Sequence, residues 1–90
     1  MELTIWKYQL ETVDVQKLQM PKNAEILTVQ MQKDTLCLWA LVNPYSEKEE
    51  RIVEIFGTGH PIKSITNRKY ISTYQLLKGD FVGHVFEKIR

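Results

Sequence analysis

Cysteine is almost absent: Cys37 is the only one in the 90-residue chain. No intramolecular disulfide can form, so a reducing, cytosolic setting is expected. Cys37 lies in the most apolar run, which suits a buried structural thiol better than a reactive one. Charge of one sign is also lacking, since twelve basic residues stand against eleven acidic ones. This argues against nucleic acid as a partner, because such binders carry a broad basic field. It also leaves little repulsion between copies, so a homodimer or larger oligomer is expected. No apolar run is long enough to span a membrane; the longest is Leu36-Cys37-Leu38-Trp39-Ala40-Leu41-Val42. Met1-Glu2-Leu3-Thr4 is not basic and opens no apolar segment, so no secretory signal is expected. Two histidines and a core cysteine do not make a metal-ligand pattern, and the acidic stretch 47–50 lacks calcium-loop spacing. Neither a metal nor a cofactor is therefore expected.

What the chain does contain is alternation. Trp6, Tyr8 and Leu10 fall on one face of a strand, with Lys7 and Gln9 on the other. Glu11-Thr12 reads as a turn, residues 13–20 as a weaker strand with Leu18 and Met20 on one face, and Pro21-Lys22-Asn23 as its end. Residues 27–42 read as a hairpin about a Lys33-Asp34 tip. Its return strand is apolar on both faces, so it belongs mid-sheet or inside a barrel, covered on both sides. Residues 43–50 and 62–69 read as loops, and 51–56, 70–77 and 81–89 as strands. Lys78-Gly79-Asp80 is a turn, and Gly83 marks a bulge or a close backbone approach. About seven short antiparallel strands and no helical period predict one all-β domain over residues 1–90, a small barrel or sandwich.

Glycine is scarce too, with four residues, and two of them flank Thr58 in Phe56-Gly57-Thr58-Gly59-His60-Pro61. Such a turn serves simply to leave a strand, or its backbone N–H groups form a nest for an anion. The second reading predicts a ligand site with Gly57, Thr58, Gly59 and His60 as its floor. Lys63, Arg68 and Lys69 would form its rim, with Tyr70 or Tyr74 as a stacking wall. That set suits a phosphate-bearing nucleotide.

Four blocks carry a resemblance: Ile5-Trp6-Lys7-Tyr8, Cys37-Leu38-Trp39-Ala40-Leu41-Val42, Phe56-Gly57-Thr58-Gly59-His60-Pro61-Ile62 and His84-Val85-Phe86-Glu87. In this order they resemble a family of short proteins of unknown function encoded by tailed bacteriophages and prophages. Gly-Thr-Gly-His-Pro is the most specific block, while Lys33-Asp34 and 62–69 carry none of the likeness. The resemblance implies an accessory protein acting in the host bacterial cytoplasm and supplies no catalytic residue. The expected role is capture of a nucleotide signal used in host defence. Two alternatives stand beside it. One is a protein-binding inhibitor of a host enzyme, acting through Trp6, Tyr8 and Tyr45. The other is a small phosphodiesterase or nuclease using His60 and His84, although His84 lies between Val82 and Phe86 like a satisfied interior histidine.

Overall fold

In the computed structural model, which describes residues 2–89, the apolar return strand of the hairpin is the middle of a sheet. Thr35–Val42 (β4) lies between Thr4–Gln9 (β1) and Glu25–Gln32 (β3), antiparallel to both, so Leu38 faces Tyr8 on one side and Val29 on the other. The second sheet has four strands: Val15–Pro21 (β2), Lys48–Gly57 (β5), Phe81–Lys88 (β7) and Arg68–Leu76 (β6), in that spatial order and antiparallel throughout. Leu36, Leu38, Ala40 and Val42 of β4 join Met20, Val53, Ile55, Tyr74 and Val85 of the larger sheet in one buried cluster. The architecture is thus an all-β sandwich rather than a closed barrel.

One side of the sandwich is laced shut. The Val29 amide donates to Ser72 Oγ (2.9 Å), and that hydroxyl donates back to the Val29 carbonyl (2.7 Å). The link falls beside register irregularities in both strands, between Ile26 and Thr28 and between Tyr70 and Ser72. One end of the core is sealed by charge. Arg51 holds the buried Glu87 carboxylate through Nε and Nη2 (the latter 3.1 Å) and donates from Nη1 to the Ala24 carbonyl (2.8 Å). A buried carboxylate needs such a partner, because removing it from water unpaired costs several kcal/mol.

Three expectations are revised. The charged stretch 47–50 is not all loop: β5 begins at Lys48, and Glu49 accepts the Asn23 amide (3.0 Å) while standing beside Arg51. Its charges are there to meet partners at the core's end. Likewise β6 begins at Arg68, two residues before the expected start. The second face of β4 is not covered by another layer; Cys37, Trp39 and Leu41 point to the outer side, Trp39 and Leu41 half-buried. Cys37 is nevertheless buried, and it lines a surface cleft with Lys7 and Gln32, whose side chains meet across β4 (2.9 Å). The hairpin turns at Lys33-Asp34 as expected, although its first strand begins at Glu25, two residues early; Lys33 takes a positive φ, and Gly79 has the expected one at +94°.

Candidate functional site

The site begins with a pair of glycines facing each other across two strands. Gly57 of β5 pairs with Gly83 of β7, and both are buried. A Cβ at Gly83 would lie 2.6 Å from Tyr74 ring carbons, so that glycine makes room for the Tyr74 ring. A Cβ at Gly57 would lie 2.9 Å from His60 Cε1, so the turn folds back to lay His60 against its own strand. Gly83 thus makes room for a side chain rather than for the close backbone approach expected there.

Side chains alternate along a strand, so the two histidines part company. Gly57 shares the inner face with Val53 and Ile55, and His60 lies on that side. There it lines a cleft of about 200 Å³ with Thr12, Val13, Asp14, Ile55, Gly57 and Phe81. His84 pairs with Phe56 on the outer face instead. The geometry does not bring His60 and His84 into one site.

The outer face carries a chain of four polar groups. Thr58 Oγ1 lies 2.7 Å from His84 Nε2, His84 Nδ1 lies 3.0 Å from Thr73 Oγ1, and Thr73 Oγ1 lies 2.7 Å from the Tyr70 hydroxyl. Below it is an aromatic row in which Tyr70 and Phe56 both meet Phe86 edge to face, with centroids 5.5 and 5.7 Å apart. Arg68 bridges over β7 to Glu54 on β5 (2.7 and 3.2 Å) and stacks over Phe56. Its remaining nitrogen donates to the Ser64 carbonyl (2.6 Å), tying the crossover that joins β5 to β6 against this face. The hydrogen bond to Glu54 raises the Arg68 pKa above the usual guanidinium value, against an opposing desolvation effect.

The predicted site residues divide. Thr58 and Tyr70 belong to the polar chain, and Tyr70 remains half-exposed. Gly59 sits at φ +87° with nothing within 4 Å of where a Cβ would be, so the turn is open above it. The Thr58 amide donates to the Val82 carbonyl (3.3 Å) and the His60 amide to the Gly57 carbonyl (3.0 Å), so neither is free for the expected nest. Arg68 and Lys69 stand far from the turn. Gly57 pairs with Gly83 whereas Lys69 pairs with Glu87, and four residues of strand cover about 13 Å. Lys63 is exposed on the crossover. Tyr74 is 4% exposed and on the inner face, so it walls no outer site. Burial raises its phenol pKa, with the Thr12 hydroxyl opposing.

Sequence reasoning missed Thr73 and read His84 as interior. In strict alternation Tyr70 and Thr73 fall on opposite faces. The irregularity between Tyr70 and Ser72 resets the phase and puts both on the outer side, Tyr70 opposite Phe86 and Thr73 opposite His84. The signal that was available was the alternation of β7, which sets His84 opposite in phase to the core residues Gly83 and Val85.

Fold and site together define an open antiparallel β-sandwich with a hydrogen-bonded polar chain on the outer face of its larger sheet. The chain belongs to the family described as Domain of unknown function (DUF7352), matched over residues 1–90. No curated protein and no solved structure matches it. Among the described residues no helix is long and apolar enough to cross a membrane.

Proposed function

We propose that this protein binds a phosphate-bearing small molecule of the nucleotide class on the outer face of the four-stranded sheet, beside the Gly57–Gly59 turn. The observation that carries this reading is the Thr58–His84–Thr73–Tyr70 chain, which gathers three hydroxyls and an imidazole at one accessible place. Open space over Gly59 lets a ligand approach the turn, and the exposed side of the Tyr70 ring offers a stacking surface for a base. Lys63 adds an exposed cation on the crossover, and Arg68 holds that crossover in place through Ser64.

The likeness to phage-encoded proteins supplies the biological setting: capture of a nucleotide signal of host defence in the bacterial cytoplasm. Self-association fits the outer side of the smaller sheet, where Ile5 is 56% and Leu27 43% exposed beside half-buried Trp39 and Leu41. The same apolar surface favours a second reading, inhibition of a host protein. It displaces the Trp6–Tyr8–Tyr45 patch, because Trp6 and Tyr8 pack against the core while Tyr45 stands 93% exposed on a loop. Heat-stability measurements separate the two. A nucleotide binder gains stability with linear or cyclic nucleotides, and a protein inhibitor gains it only with its partner. If no nucleotide raises the melting temperature, the nucleotide reading fails.

A further inference from the structure

We infer that the Thr58–His84–Thr73–Tyr70 chain is an oxyanion receptor that takes up a proton as it binds, with His84 setting its charge. The inference rests on the outer-face site proposed above and deepens it. Its basis is an inventory of hydrogens. Three contacts join the four groups. The three hydroxyls bring one hydrogen each, and a neutral imidazole brings one ring N–H. Each contact uses one hydrogen, so one is left over whichever ring nitrogen carries the proton. If Nε2 is protonated, Thr58 Oγ1 accepts and its own hydrogen points away from the chain. If Nδ1 is protonated, the chain runs in the opposite sense and the surplus hydrogen is at the Tyr70 end.

Protonating His84 changes this count. Both ring nitrogens then donate, one to Thr58 Oγ1 and the other to Thr73 Oγ1. Thr58 must direct its hydrogen outward, and a second hydrogen is surplus in the Thr73–Tyr70 pair. The imidazolium thus turns one outward donor into two and adds a positive charge between them. An acceptor-only, negatively charged group such as a phosphate or sulfate matches both changes. Histidine is the side chain whose charge ordinarily changes between about pH 5 and 8.

The surroundings leave His84 as the group that switches. Across β5 its partner is Phe56, and across β6 it is Thr73. The nearest charges on this face of the neighbouring strands are Glu54 and Arg68, joined to each other through two hydrogen bonds. Along β7 the outward side chains are Val82, Phe86 and the distant Lys88. The Tyr70 phenol belongs to the chain itself, Lys63 lies on the crossover, Lys78 and Asp80 flank the β6–β7 turn, and His60 is on the other side of the sheet.

The test follows both histidine rings by NMR pH titration of the intact protein, in sodium chloride and again with sodium sulfate at matched ionic strength. Sulfate keeps one charge state over this range, so any change belongs to the protein. A tenfold preference of sulfate for the imidazolium state moves the His84 midpoint up by about one pH unit, by reciprocal linkage. The His60 midpoint is expected to stay in place. Thr58→Val and Tyr70→Phe are each expected to reduce the His84 shift. An unmoved His84, or equal shifts at both histidines, overturns the inference. A 3′,5′-cyclic mononucleotide, a phosphodiester of fixed charge, is titrated in parallel. If it binds while His84 ignores both anions, the nucleotide reading stands and the proton-linked receptor falls. If sulfate moves His84 and no nucleotide binds, the receptor stands and the nucleotide reading falls. If neither happens, both fall.

Discussion

His60 and His84 flank the same end of one sheet, yet they are held by different forces. The His60 amide donates to the Gly57 carbonyl, but its ring lies against Gly57 by shape: the absence of a Cβ makes room for the ring, which remains exposed. His84 is held by chemistry, with a threonine hydroxyl on each ring nitrogen. A histidine held only by a gap is easily displaced without cost to its neighbours. A histidine at the centre of a hydrogen-bonded chain fixes the orientation of every group in it. The difference moves the candidate site from the residue that the glycine turn advertises to the one on the opposite face.

The two glycines beneath these rings give the sharpest way to break the comparison. Gly83→Ala drives a methyl group into the Tyr74 ring, which is buried and has nowhere to go. A loss of about 1–3 kcal/mol, the usual range for overpacking, is expected by urea unfolding. Gly57→Ala meets the His60 ring first, and that ring is exposed and can swing aside. It is expected to lose less than Gly83→Ala. Equal losses at the two positions would remove the distinction between shape that is fixed and shape that is merely available.

The histidines themselves come next in size. His84→Leu breaks two hydrogen bonds at a partly exposed place, so a loss of about 1 kcal/mol is expected, against almost none for His60→Ala. A smaller effect belongs to the inner face and depends on pH. Burial raises the Tyr74 pKa in the folded protein, so its neutral phenol favours the fold. That contribution is complete below the unfolded phenol value of about 10 and disappears as pH rises above it through the folded value. Tyr74→Phe is expected to flatten part of the alkaline fall in stability. Tyr8 also contributes, because burial raises its pKa, against a lowering effect of Arg51.

Much of the fold was legible because alternation reports which face a residue occupies. Trp6-x-Tyr8-x-Leu10 and Leu36-x-Leu38-x-Ala40-x-Val42 point inward as read, and Leu38 is fully buried. Alternation fails where the phase is reset. A single irregularity in β6 places Tyr70 and Thr73 together, which no two-residue period predicts. Composition also misled at Glu49 and Glu50. Clustered charge reads as loop, but here it begins the strand that carries Arg51 to its buried partner. The glycine turn has an arrangement that the sequence does not display. Its backbone is tied up internally, and its threonine hydroxyl reaches the neighbouring strand's histidine. The distance from Gly57 to Lys69 depends on strand register, which nearness in sequence conceals.

The most direct test of the central claim is isothermal calorimetry of wild type, His84→Gln and His60→Ala against one panel of linear and cyclic nucleotides. The account predicts that wild type and His60→Ala bind the same ligand alike. His84→Gln should lose roughly tenfold to a hundredfold in affinity, because it removes the charge and the ring that direct the outward hydroxyl donors. Loss of binding in His60→Ala with His84→Gln unaffected would place the ligand in the inner cleft and contradict the account.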